Sequence, residues 1–557
     1  MYTAIPQLTS RLTHLDKTTA SIVRQILRRI LTKYPGQTMW SLAWLLQSKD
    51  PRRKSIGHAI FGEAEQALSS AKSKSYKVLV ASKSLLTFLH ALAKTKPKEK
   101  SKLSMRVKPW VGEVPLTEFV PPIQCALLVA VGSSGKEAFS RQLPRMRCFH
   151  PDITLMPSKE RPKRIKVYAV PTDHCSPSLS MDAERIDEDC GEYHFLVKQE
   201  ARGDLRKDAR VQDLNNVINR LLVASDRSYD SRGRHHGLNL RTFAVTCLSE
   251  DTGLLEWVPN TASMRSLISK SYNPQAPPTS SRRRGNRLAN FGDPLLRENF
   301  ESKCQEMFFK NGDLKRAAVL FEKLCLKPNP PLLFWWFVHN FRDPQSWYEA
   351  RTRFILSVAA WSAVGHVIGL GDRHSENILI DGQAGEVVHV DFDCIFDKGL
   401  HLPKPEIVPF RLTANMIDAF GPCGTDGLYS KGLNTTVHTL RENRDTLLSV
   451  LEPFVNDPVI DWKRQRSAQR ASDAHNLQSM EAKRSIRVID ERLRGIYNLH
   501  NPNLKKVRRT DGVVDTQDDE LAHLLPLSVD GQVQKMIAEA TSSENLVQLY
   551  VGWMPWV

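Results

Sequence analysis

Apolar residues change their spacing twice along this 557-residue chain. Through residues 1 to about 109 they recur at helical intervals, with Ile22, Ile26, Leu27 and Ile30 on one predicted face and Trp40, Leu42, Trp44 and Leu45 in a second segment. This pattern predicts paired helices of a longer array, closed by the charge-rich linker "KTKPKEKSK" at 94–102. From about 110 short β-type runs take over: "CALLVAV" (125–131), "RIKVYAV" (164–170), "YHFLVK" (193–198) and "RTFAVTCL" (241–248). One helix, "RVQDLNNVINRLLV" (210–223), interrupts them. After "NPQAPPTSSRRRGN" (273–286), expected to be a flexible loop, the pattern is helical again except for one small β patch around residue 380. The order predicts a small β-rich lobe followed by a large helical one.

The most membrane-like stretch, "ILSVAAWSAVGHVIGL" (355–370), is shorter than the roughly 20 residues a bilayer span requires and contains Ser and His. A buried core helix is expected there, and no membrane partner. Lys and Arg outnumber Asp and Glu by 78 to 61, a formal net charge of +17 that suits acidic partners such as nucleotide, nucleic acid or acidic protein. The nine cysteines show no CxxC pair and read as reduced thiols. No apolar run of the kind found in secretory signals follows Met1.

Chemistry concentrates in "GLGDRHSENILI" (369–380) and "VVHVDFDCIF" (387–396). Asp372 and Asn377 stand five residues apart, the spacing by which a kinase catalytic loop supplies a base for the substrate hydroxyl and an amide oxygen for a metal ion. Asp391 follows 19 positions downstream, placed on a strand by Val387, Val388 and Val390, where a second metal-binding carboxylate is needed. Taken alone, "DRH" is more often a polar turn at a helix end. The recurrence of an independent acid on a strand favours phosphoryl transfer, which needs a base and metal oxygens but leaves His374 without a role.

"GDRHSENILI" with "HVDFD" resembles the phosphatidylinositol-3-kinase-related protein kinases, in which the order is Asp-Arg-His. "DLRKDARVQDLNNVIN" (204–219), "RTFAVTCLSEDTGLLEWVPNT" (241–261) and "EIVPFRLTANMIDAFGPCGTDGL" (406–428) are similar to the ATR/Mec-type DNA-damage checkpoint branch. "VDGQVQKMIAEATSSENLVQLYVGWMPWV" (529–557) is similar to the family's FATC segment, and "YPGQTMWSLAWLLQSKDPRRK" (34–54) to the end of its helical FAT region. The resemblance implies an α+β, bilobal kinase: the C-terminal part of a FAT region at 1–109, a β-rich N-lobe at 110–262, a helical C-lobe at 263–460, a basic regulatory linker at 461–524, expected to be mobile, and FATC at 525–557.

Carried over by position, the resemblance assigns Asp372 as base and His374 as stabiliser of charge on the transferring phosphoryl group. Asn377 and Asp391 would hold Mg2+ or Mn2+. ATP would lie between the lobes, with adenine against Trp257 and Val258 and apolar contact from Leu379 and Val390. Lys198 would contact phosphate, with Asp208 orienting it. The implied substrates are proteins carrying Ser or Thr followed by Gln. The implied partners are an ATR-interacting-protein-like regulatory subunit and activator proteins, with DNA sensed indirectly, dimeric assembly through N-terminal regions and nuclear localisation.

The chain departs from the family in "QEARG" after Lys198, which lengthens the connection to Asp208; the long run 170–191 before it is glycine-poor, as the phosphate loop of the family it resembles also is. Two other readings use the same residues. A phosphoinositide lipid kinase would share Asp372, Asn377 and Asp391 but usually carries a lysine-rich activation segment, whereas here Lys398 and Lys404 are separated and balanced by acids. A catalytically inactive scaffold would have lost an acid that this chain retains. The basic runs "RRRGNR" (282–287) and "KKVRR" (505–509) lack the interleaved aromatics of a stacking nucleic-acid site.

Overall fold

A computed structural model describes residues 2–14, 16–73, 75–95, 104–106, 116–129, 139, 143–156, 161–170, 191–200, 204–225, 237–272, 294–455, 471–496 and 525–557. The run 170–191 beyond its first and last residues, the inserted 201–203 and both basic runs lie outside these. The chain divides into two compact units. The first comprises Met1–Leu214, Thr242–Pro259 and Asp457–Ile460; the second comprises Asn215–Arg241, Asn260–Asn456 and Asp461–Val557.

After the short helix Ile5–Ser10, the first unit runs through four longer helices, Lys17–Lys33, Pro35–Leu46, Pro51–Ser70 and Ser75–Lys94. Asp16 and Asp50 cap two of them by accepting backbone N–H bonds from the first turn. The inward face of Lys17–Lys33 is Val23, Leu27, Ile30 and Leu31, while Ile22 is 53% exposed. Ile22 therefore corrects the expected face: it stands one position, about 100°, away from the stripe that Val23 begins.

Seven antiparallel strands follow: β1 (Ser104–Arg106), β2 (Arg145–Phe149), β3 (Asp152–Leu155), β4 (Lys163–Val170), β5 (Gly191–Gln199), β6 (Val245–Cys247) and β7 (Thr252–Glu256). Their order is β1-β3-β4-β5-β7-β6, with β2 also paired to β4. In β5, Phe195 and Val197 point into the core. The pleat then places Lys198 on the opposite face, in register with Gly253 of β7. Glycine is required at 253 because a Cβ would stand 2.8 Å from the Thr246 carbonyl oxygen. The helices and sheet share one apolar core. Trp40 Nε1 donates to Val120 O at 3.0 Å and Lys163 Nζ to Ala93 O at 2.8 Å. The described part of the run 125–131 is not the expected strand, since Gln124–Leu127 is a short helix. Its Gln124 N–H is taken by the Glu256 carboxylate at 2.8 Å, not by a neighbouring strand.

The second unit is built on the helix Pro344–Ile368, buried continuously from Phe354 to Ile368. No described helix is long and apolar enough to cross a membrane. Asp343 caps its start, and Gly369 ends it at φ +61°. A three-stranded sheet lies beyond, β8 (Thr261–Ser263), β9 (Ile378–Asp381) and β10 (Val387–His389), in the order β10-β9-β8. The β10 strand ends at His389, so Val390 and Asp391 lie past it rather than on it. The next polar groups are captured elsewhere: Val390 N–H donates to Asn377 O, and Val390 O accepts from Arg373.

Residues 480–496 lie within the stretch expected to be a linker. They complete the helix Ala471–Arg494, whose Ala482, Ile489 and Leu493 are buried at i, i+7 and i+11. The tail helix Val529–Thr541 buries Gln532, Val533, Met536 and Ala540, leaving Val529 and Ile537 only half-covered. Leu546, Leu549, Trp553 and Trp556 are buried, and Tyr550 is 55% exposed.

Candidate active site

The loop after Gly369 turns on residues with unusual backbone freedom. Asp372 and Asp391 adopt φ of +58° and +62°, a region that Asp tolerates because its short side chain bonds locally. Gly371 must be glycine, since a Cβ would stand 2.6 Å from Glu406 Oε2 and 2.9 Å from Cys394 Sγ. That space admits the Glu406 carboxylate, which accepts the Asp372 N–H at 2.8 Å.

Arg373, 3% exposed, braces the loop against the segment that carries Asp391. Its Nε donates to Gly371 O at 2.9 Å, Nη1 to Val390 O at 2.9 Å, and Nη2 to Asp391 O. Its guanidinium lies over the Phe392 ring at 5.6 Å. Burial pulls its pKa down, while Asp391 and Asp372 hold it up. Asn377, 8% exposed, donates from Nδ2 to Asp372 O at 3.0 Å, which leaves Oδ1 as the acceptor. Asp391 presents an exposed carboxylate. An amide oxygen and a carboxylate are hard oxygen donors, the chemistry a magnesium or manganese ion takes.

Burial pushes the Asp372 carboxyl above its ordinary value, opposed by His374 and Arg373 and reinforced by Asp391 and Asp393. Burial pushes His374 down, with Asp372 opposing. His374 Nδ1 accepts the Glu376 N–H at 3.2 Å, so the neutral ring carries its proton on Nε2. That atom lies 4.0 Å from Asp372 Oδ1, near enough for charge coupling and too far for a hydrogen bond. Leu379 lies on β9, half-buried and in register with Val388; Val390 is half-buried.

The remaining expected site residues belong to the first unit. Lys198 forms an ion pair with Glu200, an acid that sequence reasoning did not consider. Asp208 is buried in the first turn of the helix Arg206–Ala224. Trp257 directly follows β7, its N–H bonded to His194 O at 2.9 Å and its ring covered by Arg164 at 4.7 Å. It is half-buried, unlike an ordinary core aromatic, and Val258 beside it is buried.

Residues 192–464 match the family model "Phosphatidylinositol 3- and 4-kinase", and residues 526–557 match the FATC domain. Residues 1–87, expected as FAT, match a model described as ATR-like HEAT repeats. The chain is 31% identical over its full length to the serine/threonine-protein kinase ATR of Arabidopsis thaliana, covering 18% of that protein. It is 32% identical over 99% of its length to protein kinase rad3 of Schizosaccharomyces pombe, covering 20% of it. The chain belongs to the phosphatidylinositol-3-kinase-related protein kinases. It spans about a fifth of the length of these curated relatives. The solved FAT and kinase domain of CtTel1 has the same fold, with TM-score 0.70 and 24% identity, over all of this chain and 34% of that one.

Within this family frame, the FATC tail is tied to the activation segment 391–413. Arg411 donates from Nη1 to Trp553 O at 2.7 Å and from Nη2 to Met554 O and Val557 O at 3.1 and 3.0 Å. Its guanidinium covers the Trp553 ring at 4.4 Å. Gln305 adds a second tie, donating to Val547 O and Leu549 O while accepting from Lys404 Nζ at 2.5 Å. Sequence reasoning missed Arg373, Glu406, Arg411 and Gln305 as parts of the site's support. Arg373 was the one with a visible signal, a cation between the two motif residues Asp372 and His374.

Proposed function

We propose that this chain is the catalytic portion of an ATP-dependent serine/threonine protein kinase of the ATR type, acting in DNA-damage and replication-stress checkpoint signalling. The observation that carries it is the pair of ties around the loop: Arg373 bonds Gly371 O, Val390 O and Asp391 O, and Asn377 bonds Asp372 O. The names of the relatives, both protein kinases, support the reading.

In this mechanism Asp372 orients the substrate hydroxyl and accepts its proton as the hydroxyl oxygen attacks the γ-phosphorus of ATP. The bond to the leaving ADP oxygen breaks in the same displacement. His374 directs its Nε2–H toward charge on the transferring group. Asn377 Oδ1 and Asp391 would hold Mg2+, or Mn2+ in its place, which when bound neutralises phosphate charge. Lys198, Asp208, Trp257, Val258, Leu379 and Val390 are proposed to contact ATP.

A protein substrate suits the activation segment better than a phosphoinositide. Lys398 is paired with Asp393 at 3.0 Å and Lys404 is engaged by Gln305, so neither is free to grip a headgroup. Ser/Thr-Gln specificity, a regulatory subunit, indirect contact with DNA and nuclear localisation are parts of the same proposal. So is dimeric assembly, supported by a fold neighbour solved as a C2-symmetric CtTel1 dimer. Incubating the purified chain with ATP and a Ser-Gln peptide tests it. Labelling that falls when Gln is replaced by Ala is expected; labelling of phosphoinositide vesicles with none of the peptide would overturn it.

A further inference from the structure

Arg492 lies in the part of the sequence expected to be a linker, near the end of the helix Ala471–Arg494, yet it is only 6% exposed. Its Nη2 donates to Asp397 Oδ1 at 2.8 Å. Nε and Nη1 have no partner, and the side chain lines a cavity of about 30 Å³ bounded also by Gly369, Gly371, Asp397, Glu406 and His366. A buried guanidinium with one partner and two orphan nitrogens is poorly compensated, so stability alone does not favour it.

What Arg492 holds is the far side of the catalytic loop. Asp397 adopts φ +58°, and its N–H donates to Gly369 O at 3.0 Å, beside Phe396 N–H to Ile368 O at 3.0 Å. Gly371 N–H returns to Cys394 O at 2.8 Å. Glu406, which accepts the Asp372 N–H, is itself bonded through its backbone to Gly399 O at 3.1 Å. The backbone of 394–399 and that of 368–372 are thus laced together, and Asp397 is the position where a side chain from elsewhere takes hold. The Arg492 carbonyl is in turn fixed by Gln532 Nε2 of the tail helix at 3.1 Å.

We propose that Arg492 is a positioning residue for phosphoryl transfer: through Asp397 it fixes the start of the activation segment, and with it the backbone that sets Asp372. The proposal rests on the kinase reading for its kinetic arm and on hydrogen exchange for its structural arm, so the two can fail separately. In the full chain, Arg492→Gln and Asp397→Asn should each lower kcat about tenfold with KM for ATP unchanged. Each should speed exchange across 394–400 but not in the helix Leu428–Glu442. The double variant should be no worse than either single one, because both remove the same contact. Arg492→Lys, which keeps the charge, should recover part of kcat. Multiplying defects, unchanged kcat in both single variants, or exchange that rises equally in Leu428–Glu442 would overturn it. If the wild-type chain transfers no phosphate, unchanged exchange across 394–400 in both single variants would still refute the contact's role.

Discussion

Asp372 is held at both of its backbone polar groups, by Glu406 at its N–H and by Asn377 at its carbonyl, in a conformation that few residue types adopt without cost. Asn shares that tolerance, so Asp372→Asn and Asp391→Asn test charge without adding backbone strain. Arg373 is the cation on which the same loop depends. Arg373→Lys keeps the charge but cannot span three carbonyls. Losing bonds of this kind should cost roughly 2–4 kcal/mol, read as a lower melting temperature together with lower turnover.

His366 gives a pH prediction. Burial holds its pKa well below the ordinary value, with Arg492 and Arg441 acting in the same direction. The folded state keeps it neutral while the unfolded chain protonates near pH 6.5, so its contribution to stability is present above that pH and lost as pH falls through it. The slope approaches about 1.4 kcal/mol per pH unit below 6.5. Melting temperatures at pH 7.5 and 5.5 should diverge less in His366→Asn than in the wild type; an equal divergence would assign the effect to other groups.

The elements show how much could be read in advance. Asp372, Asn377 and Asp391 could be proposed from the sequence because phosphoryl transfer constrains both residue type and spacing, and the 355–370 helix could be read because its apolar run is long. Ile22 and "CALLVAV" misled because a stripe one residue out of phase, or a short apolar run, looks the same in helix and strand. Arg411 and Glu406 could not be read at all, since their partners lie 142 and 34 positions away and only the tertiary fold brings them together. The carbonyls of Trp553, Met554 and Val557 in the tail converge on Arg411. Deleting 529–557 should therefore strand a buried guanidinium, abolish activity and speed hydrogen exchange across 391–413. Arg411→Gln should do the same in weaker form. Full activity and unchanged exchange in the truncated chain would make the tail an independent module.

At the scale of the molecule, the proposed phosphoryl transfer turns on Asp372 taking the proton from a substrate hydroxyl. The most direct measurement is single-turnover transfer of the γ-phosphoryl group to a Ser-Gln peptide by the wild type and by Asp372→Asn, with melting temperature and hydrogen exchange matched and ATP affinity measured in parallel. The expected transfer rate is about 100 to 10,000-fold lower in the variant, with ATP affinity retained. Transfer by Asp372→Asn at the wild-type rate would contradict it.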